Sequence, residues 1–152
     1  MRRQVVIALA SSGAGILCAC GSSLDDSRAA NDVEVVDPGA ARWQASSQTR
    51  LYRITIGPEE GRARLGPMHT WLVEVASREG KPVTPIHVLF DGGMPEHGHG
   101  FETSPRVIDS PGRGVVRVDG VRFQMAGAWR IRIDVASREG ADFALFDLEV
   151  EP

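Results

Sequence analysis

The stretch Trp129-Arg-Ile-Arg-Ile-Asp-Val135 is the clearest indication of fold class in this 152-residue chain. Apolar and charged residues alternate along it, so one face would carry the apolar side chains Trp129, Ile131, Ile133 and Val135. A period of two residues is the pattern of a β-strand with one face buried against a core. The stretch therefore predicts a strand with Trp129 pointing into the interior.

Similar runs recur along the chain at a spacing of roughly 8–12 residues, separated by Gly and Pro, and none after the N-terminal region has a helical period. They are Arg50–Ile56, Arg62–Leu65, His69–Ala76, Pro85–Phe90, Val115–Val118, Val121–Phe123 and Asp142–Val150. We therefore predict an all-β fold over residues 50–152, an immunoglobulin-like β-sandwich of about seven strands. Its core would contain Trp71, Trp129 and Phe146.

Residues 1–19 have the organisation of a signal peptide. Arg2 and Arg3 precede an apolar run of 13 residues ending at Leu17, which is shorter than the roughly 20 residues that span a bilayer. Leu17-Cys18-Ala19-Cys20 is similar to a lipobox, which predicts that Cys20 is lipidated and becomes the first residue of the mature protein. The alternative is an ordinary cleaved signal in which the cysteines have no role.

Residues 20–49 are rich in Ser, Ala and Asp and predict a flexible tether between the lipid anchor and the domain. Trp43 is its one aromatic side chain and a candidate for docking on the domain. This organisation predicts a lipid-anchored protein on the periplasmic or cell-surface face of a bacterial membrane. The formal net charge of −3 argues against a nucleic-acid partner. A single cysteine in the mature chain leaves no disulfide framework.

The segment Met94-Pro-Glu-His97-Gly-His99-Gly100 places a thioether and two imidazoles in a glycine-rich loop. His97 and His99 are two residues apart, so both rings would project to the same side of an extended segment. Thioether plus imidazole is a ligand set that suits copper, above all Cu(I). Met125 is a candidate fourth ligand, from a later segment.

A purely structural role for these residues stays open. The glycines would permit a tight connection, Met94 and Met125 would fill the core, and the histidines would make hydrogen bonds to carboxylates or carbonyl groups. His69 and His87 favour structural roles, His69 at the rim of the core.

Enzymatic functions have weaker support. A hydrolytic zinc site would need three firm ligands and an open position, which His97, His99 and His69 would have to supply. The chain has no nucleophile elbow and no glycine-rich phosphate loop followed by a helix. We therefore do not expect an enzyme.

The chain resembles the YtkA-like domain over residues 69–150. The most specific part of the match is the His-Gly-His-Gly loop together with Phe123-x-Met125-x-Gly127-x-Trp129. Further segments match in the same order and spacing: His69-Thr-Trp71, Gly80-Lys-Pro82-Val83, Asp91–Gly100, Pro105-Arg-Val107 and Val121-Arg-Phe123. Such domains resemble immunoglobulin-like sandwiches of exported bacterial proteins. They are placed beside FixH-like and CopC-like proteins, which are associated with copper handling.

The resemblance implies copper binding through Met94, His97, His99 and Met125. This chain departs from the pattern on either side of Met125, where it has Gln and Ala in place of the frequent His and Pro. We expect a lipid-anchored, extracytoplasmic copper-binding protein that delivers copper to an envelope protein or confers tolerance of the metal. The alternative is a non-metal interaction module of the cell envelope that uses the same loop as a recognition surface.

Overall fold

Two antiparallel sheets face each other in the computed structural model, which describes residues 33–37, 41–84 and 86–152. The described strands are β1 (Glu34–Asp37), β2 (Arg42–Ser46), β3 (Tyr52–Pro58), β4 (Met68–Ser77), β5 (His87–Met94), β6 (His99–Gly100), β7 (Arg106–Gly112), β8 (Val115–Arg122), β9 (Gly127–Ser137) and β10 (Gly140–Val150). The six-stranded sheet has the order β1-β2-β3-β4-β8-β7, and the four-stranded sheet has the order β10-β9-β5-β6. The predicted all-β sandwich is confirmed, with ten strands among the described residues rather than about seven.

The predicted signal peptide, residues 1–19, and the predicted lipidation site Cys20 lie outside the described residues. Within the residues that are described, no helix is long and apolar enough to cross a membrane.

The core lies between the two sheets and is built from the inward faces of alternating strands. Trp71 and Phe146 are fully buried and Trp129 almost so, which confirms the predicted core. Trp43 packs flat on Trp71, with ring centroids 5.9 Å apart, so its predicted docking on the domain is also confirmed. This aromatic pair ties β2 to the centre of the sandwich.

The folded domain begins before residue 50. β1 and β2 both lie inside the predicted tether, and β2 pairs with β3 in a register that sets Trp43 opposite Ile56. The prediction of a tether over residues 20–49 is therefore wrong for the part that forms these two strands. The sequence pattern is weak there because only Ala45 of β2 is buried, and a strand with one buried residue shows no clear alternation.

The structure corrects two further details. Arg62–Leu65 is not a strand, since Leu65 makes only an isolated bridge to Phe123. The two predicted segments on either side of Asp119 form one continuous strand, β8, because Asp119 and Gly120 together face a single residue of β4. This is a β-bulge, and Gly120 accommodates it with a φ of +87°.

The register also decides which loops meet. β5 runs antiparallel to β9, with His87 opposite Ala136 and Gly93 opposite Arg130, so the last residue of β5 lies near the start of β9. β8 ends just before that start, and the segment between β8 and β9 carries Met125. We call this end of the sandwich, with Met94–Gly100 and residues 123–127, the hairpin end. His87 lies at the opposite end.

Candidate functional site

The predicted loop is a tight β-hairpin between β5 and β6. Met94 is directly opposite His99 in the register, and the backbone N–H groups of His97 and Gly98 donate to the Met94 carbonyl at 3.1 and 2.9 Å. Gly98 has a φ of +68°, a conformation that favours glycine over residues with a Cβ atom. This glycine therefore has a structural role in the turn, which is compatible with a ligand role for its neighbours.

His97 and His99 are both exposed, and their ring centroids lie 5.8 Å apart. Two imidazoles bound to one ion through nitrogen atoms at about 2 Å have ring centroids separated by roughly 6 Å or less. The observed separation is within that limit. The His99 ring also stands edge-on to Trp129, with centroids 6.3 Å apart, which restricts where it can turn.

Met94 belongs to the core, with only 2% of its surface exposed. Its terminal methyl group lies beside Gly127, where an added Cβ would come within 3.2 Å of it. Since residues directly opposite in an antiparallel pair share a face of the sheet, Met94 lies on the same face as His99. The structure thus supports the core-filling role of Met94, on the strand position opposite His99.

Met125 is 39% exposed and lies in the connection between β8 and β9. Its backbone carbonyl accepts a hydrogen bond from the Trp129 indole nitrogen at 3.0 Å. One residue earlier, the Gln124 side-chain amide donates to the Gly100 carbonyl at 2.8 Å. These bonds hold the connection against the hairpin, so the two segments that carry the predicted ligands do meet.

A group of stacked aromatic rings supports the hairpin from below. Phe101, the residue after β6, stacks on Trp129 with centroids 5.1 Å apart and an interplanar angle of 16°. Phe123 meets Trp129 edge-on at 5.2 Å. Phe101 and Gln124 are supporting residues that the sequence pattern does not indicate. Their only signal is their position, one next to the His-Gly-His-Gly loop and one next to Met125.

His69 lies at the hairpin end as well, but in a structural position. His69 is half-buried, and its Nε2 lies 3.0 Å from the Arg64 carbonyl oxygen and 3.1 Å from the Arg64 backbone nitrogen. Its ring is 6.3 Å from Phe123, so the predicted position at the rim of the core is confirmed. Within the described residues no three His, Cys, Asp or Glu side chains form a metal-binding cluster. The three histidines of the zinc alternative are therefore not brought together.

The fold and the site define a β-sandwich whose one end carries a Met/His hairpin on an aromatic base. The chain belongs to the YtkA-like family, whose model matches residues 47–134. The matched range starts just after β2 and ends within β9, so it contains the hairpin and the β8–β9 connection. Comparisons with curated proteins and with solved structures gave no match.

Proposed function

We propose that this protein binds copper at the hairpin end, as a lipid-anchored protein outside the cytoplasm. It would deliver the ion to an envelope protein or protect the cell envelope from it. The observation that supports this most is the pair of exposed imidazoles of His97 and His99, with ring centroids 5.8 Å apart. They lie on a hairpin that is hydrogen-bonded to the segment carrying Met125.

The donor set favours copper over zinc. Two imidazole nitrogens with one or two thioether sulfurs match the preference of Cu(I) for soft ligands. Met125 is the more accessible thioether, whereas Met94 would have to turn its sulfur from the core toward the hairpin surface. A shallow site with exposed imidazoles also suits a carrier, because an ion held there can be reached by an acceptor.

Titration of the purified protein with Cu(I) and Cu(II) against competing chelators tests the proposal. Replacing both His97 and His99 by Ala should abolish tight copper binding and leave the melting temperature near that of wild type, because both side chains are exposed. His87→Ala is the matched control, since His87 is an exposed histidine at the opposite end. Copper binding by the double variant equal to that of wild type would refute the proposal.

The methionines are tested by the difference between the two oxidation states. Met125→Leu should weaken Cu(I) binding much more than Cu(II) binding, because only the soft ion depends on thioether sulfur. Met94→Leu conserves volume in the core and should cost less than about 1.5 kcal/mol of stability. An equal effect of each substitution on both ions would exclude the sulfur atoms as ligands.

One observation favours the alternative of a non-metal recognition surface. Leu65 and Met68 are exposed apolar side chains beside β8, at the same end as Met125. Such side chains would suit contact with another envelope protein. This alternative replaces the copper proposal if the wild-type protein binds neither Cu(I) nor Cu(II).

A further inference from the structure

One edge of the four-stranded sheet is open along the first part of β5. β6 covers that edge only at Gly93 and Met94, the last residues of β5. Phe101 extends the cover by one residue, since its backbone N–H donates to the Gly92 carbonyl at 3.2 Å. In the part of the chain that the structure describes, no strand pairs with the remaining residues, His87–Asp91, on this side.

The backbone groups of Val88 and Phe90 face this open edge. Neighbouring residues of a strand present their N–H and C=O groups to opposite edges, so Val88 and Phe90 point in the same direction as Gly92, away from β9. Outside the paired strands, no backbone hydrogen bond between described residues reaches either of them. Their N–H and C=O groups are therefore available to a further strand.

Two other sheet edges carry features that hinder the addition of a strand, whereas this edge does not. β7 contains Pro111, and its register with β8 is interrupted twice. β10 is covered at one point, where the Gln48 backbone N–H donates to the Phe143 carbonyl at 2.7 Å. His87–Asp91 has no proline and keeps an unbroken register with β9. Because bulges and prolines protect an edge from pairing with another chain, the open stretch of β5 is the edge that can accept one.

The side chains along the open stretch are complementary to a second copy of themselves. His87, Leu89 and Asp91 lie on the outer face of the sheet, and all three are exposed. In an antiparallel pair centred on Leu89, the two leucines lie opposite each other, and His87 of each copy lies opposite Asp91 of the other. The same register sets Val88 opposite Phe90, so their free backbone groups bond each other.

This pairing would cover apolar surface that is exposed in the single chain. Leu89 is 71% exposed, more than any other large apolar side chain among the described residues. In the pair it occupies a position without backbone hydrogen bonds, where facing side chains approach most closely. Val107 of β7 is also exposed and lines the groove beside Leu89. Contact between the two copies would thus remove apolar area from water on both sides of β5.

The ends of the open stretch fit the same pairing. Before His87 the chain leaves this sheet, because the Val83 backbone N–H donates to the Val75 carbonyl of β4, in the other sheet, at 3.0 Å. After Asp91 the edge is occupied by Phe101. A partner strand has room for the length of His87–Asp91, which is the length that a second copy supplies.

We propose that two copies of this protein associate by antiparallel pairing of β5, around a two-fold axis at Leu89. The four-stranded sheets of the two copies then form one continuous sheet across an isologous interface. Each copy contributes a short stretch of one strand, so we expect a reversible dimer rather than a permanent one. The pairing does not use the hairpin ends, because the two Met94 residues would lie roughly 30 Å apart.

Cysteine cross-linking of the full chain, purified in detergent with a metal chelator, tests the register. Facing residues at the centre of the pair have Cα atoms about 4.5 Å apart, a separation that a disulfide can bridge. Leu89→Cys should therefore form a disulfide-linked dimer on mild oxidation, above the background given by the cysteines of the wild type. His87→Cys alone and Asp91→Cys alone should not, since each lies roughly 13 Å from its own counterpart. An equal mixture of these two variants should form the cross-link.

Sedimentation of the metal-free full chain in density-matched detergent, at up to about 1 mM, measures the dimer at equilibrium. Leu89→Asp places like charges opposite each other and should raise the dissociation constant about 10-fold or more, with little change in melting temperature because the side chain is exposed. Met68→Asp is the matched control, an exposed apolar residue at the hairpin end. His87→Asp should also weaken the dimer, and adding Asp91→His should restore it, because unlike groups again face each other.

A chain that stays monomeric up to the highest concentration would overturn the proposal. So would a dimer that Leu89→Asp leaves unchanged, or a Leu89→Cys variant that cross-links no more than His87→Cys. None of these outcomes depends on the copper titrations, which test the opposite end of β5.

Discussion

Asp142 joins the two sheets at the end remote from the hairpin, and its loss should destabilise the protein strongly. The side chain is 8% exposed. Its carboxylate accepts hydrogen bonds from the Thr49 hydroxyl at 2.7 Å, the Thr49 backbone nitrogen at 3.0 Å and the Phe143 backbone nitrogen at 2.9 Å. Asp142→Asn keeps the shape but places an N–H donor against groups that are already donors.

The expected cost follows from these contacts. Leaving a buried donor unpaired costs about 1–3 kcal/mol, and hydrogen bonds to a charged group contribute about 1.5–3 kcal/mol each. We therefore expect Asp142→Asn to lower the free energy of unfolding by roughly 2–3 kcal/mol at neutral pH. For a domain of this size, that corresponds to a fall of roughly 10 °C in melting temperature.

The destabilisation should depend on pH in a defined direction. Burial by itself would raise the pKa of Asp142, but hydrogen bonding by the side chains of Ser47 and Thr49 and by backbone N–H groups outweighs it, and the pKa lies below its ordinary value. A lowered pKa in the folded state contributes stability above the unfolded-state value of about 3.9. That contribution disappears as the pH falls through the folded-state value. The stability difference between wild type and Asp142→Asn should therefore shrink below about pH 4.

Chemical unfolding monitored by tryptophan fluorescence between neutral pH and pH about 3 measures this difference across the relevant range. Asp147→Asn is the matched control, because Asp147 lies on the same strand but forms an exposed pair with Arg130, worth about 1 kcal/mol at most. Copper affinity should not change, since Asp142 is at the other end from the hairpin. Equal costs for the two variants, or a cost for Asp142→Asn that does not vary with pH, would contradict the proposed role of the buried carboxylate.

Three other changes test the anchor, the first two strands and the hairpin. Cys20→Ser should release the protein from membranes or leave it unprocessed, and unchanged detergent partitioning would remove the lipid-anchor prediction. A chain that starts at Arg50 lacks β1 and β2 and should melt well below one that starts at residue 33; equal melting temperatures would show that these strands add no stability. Gly93→Ala would place a methyl group 2.6 Å from the His99 carbonyl oxygen, so β5 and β6 would have to separate there, and both the melting temperature and copper binding should fall. Gly92→Ala meets core side chains instead and should mainly lower stability, by about 1–3 kcal/mol.

The central strands could be predicted from the sequence because each has a buried face and a more exposed one. In β9 the buried residues alternate with more exposed ones from Trp129 to Val135, so the period of two is visible in the sequence. β7 at the sheet edge is exposed along almost its whole length. Nothing then selects apolar residues at alternate positions, and the strand has no signature to find. In the first two strands, Glu34–Val36 are likewise exposed and only Ala45 of β2 is buried, so they show no alternation either.

The bulge in β8 shows a different limit on the prediction of strands from the sequence. Asp119-Gly120 is a common turn pair, which favours the prediction of two separate β segments, one on either side of it. In the folded chain the same two residues are the extra length of a bulge, held by pairing with β4 on both sides. Glycine at position 120 readily adopts a positive φ, and this conformation suits both a turn and a bulge. Only pairing with the neighbouring strand determines whether the chain turns back or continues.

The candidate site depends on a tertiary arrangement that local pattern does not contain. The sequence identified the two segments, but their meeting follows from the register of β5 on β9 and from the Gln124–Gly100 bond. The structure also separates two tasks within the site. Phe101 and Trp129 form a rigid base, while His97 and His99 project from it into solvent. Because exposed imidazoles contribute little to the core, the binding properties of this end can change by substitution while the sandwich keeps its stability.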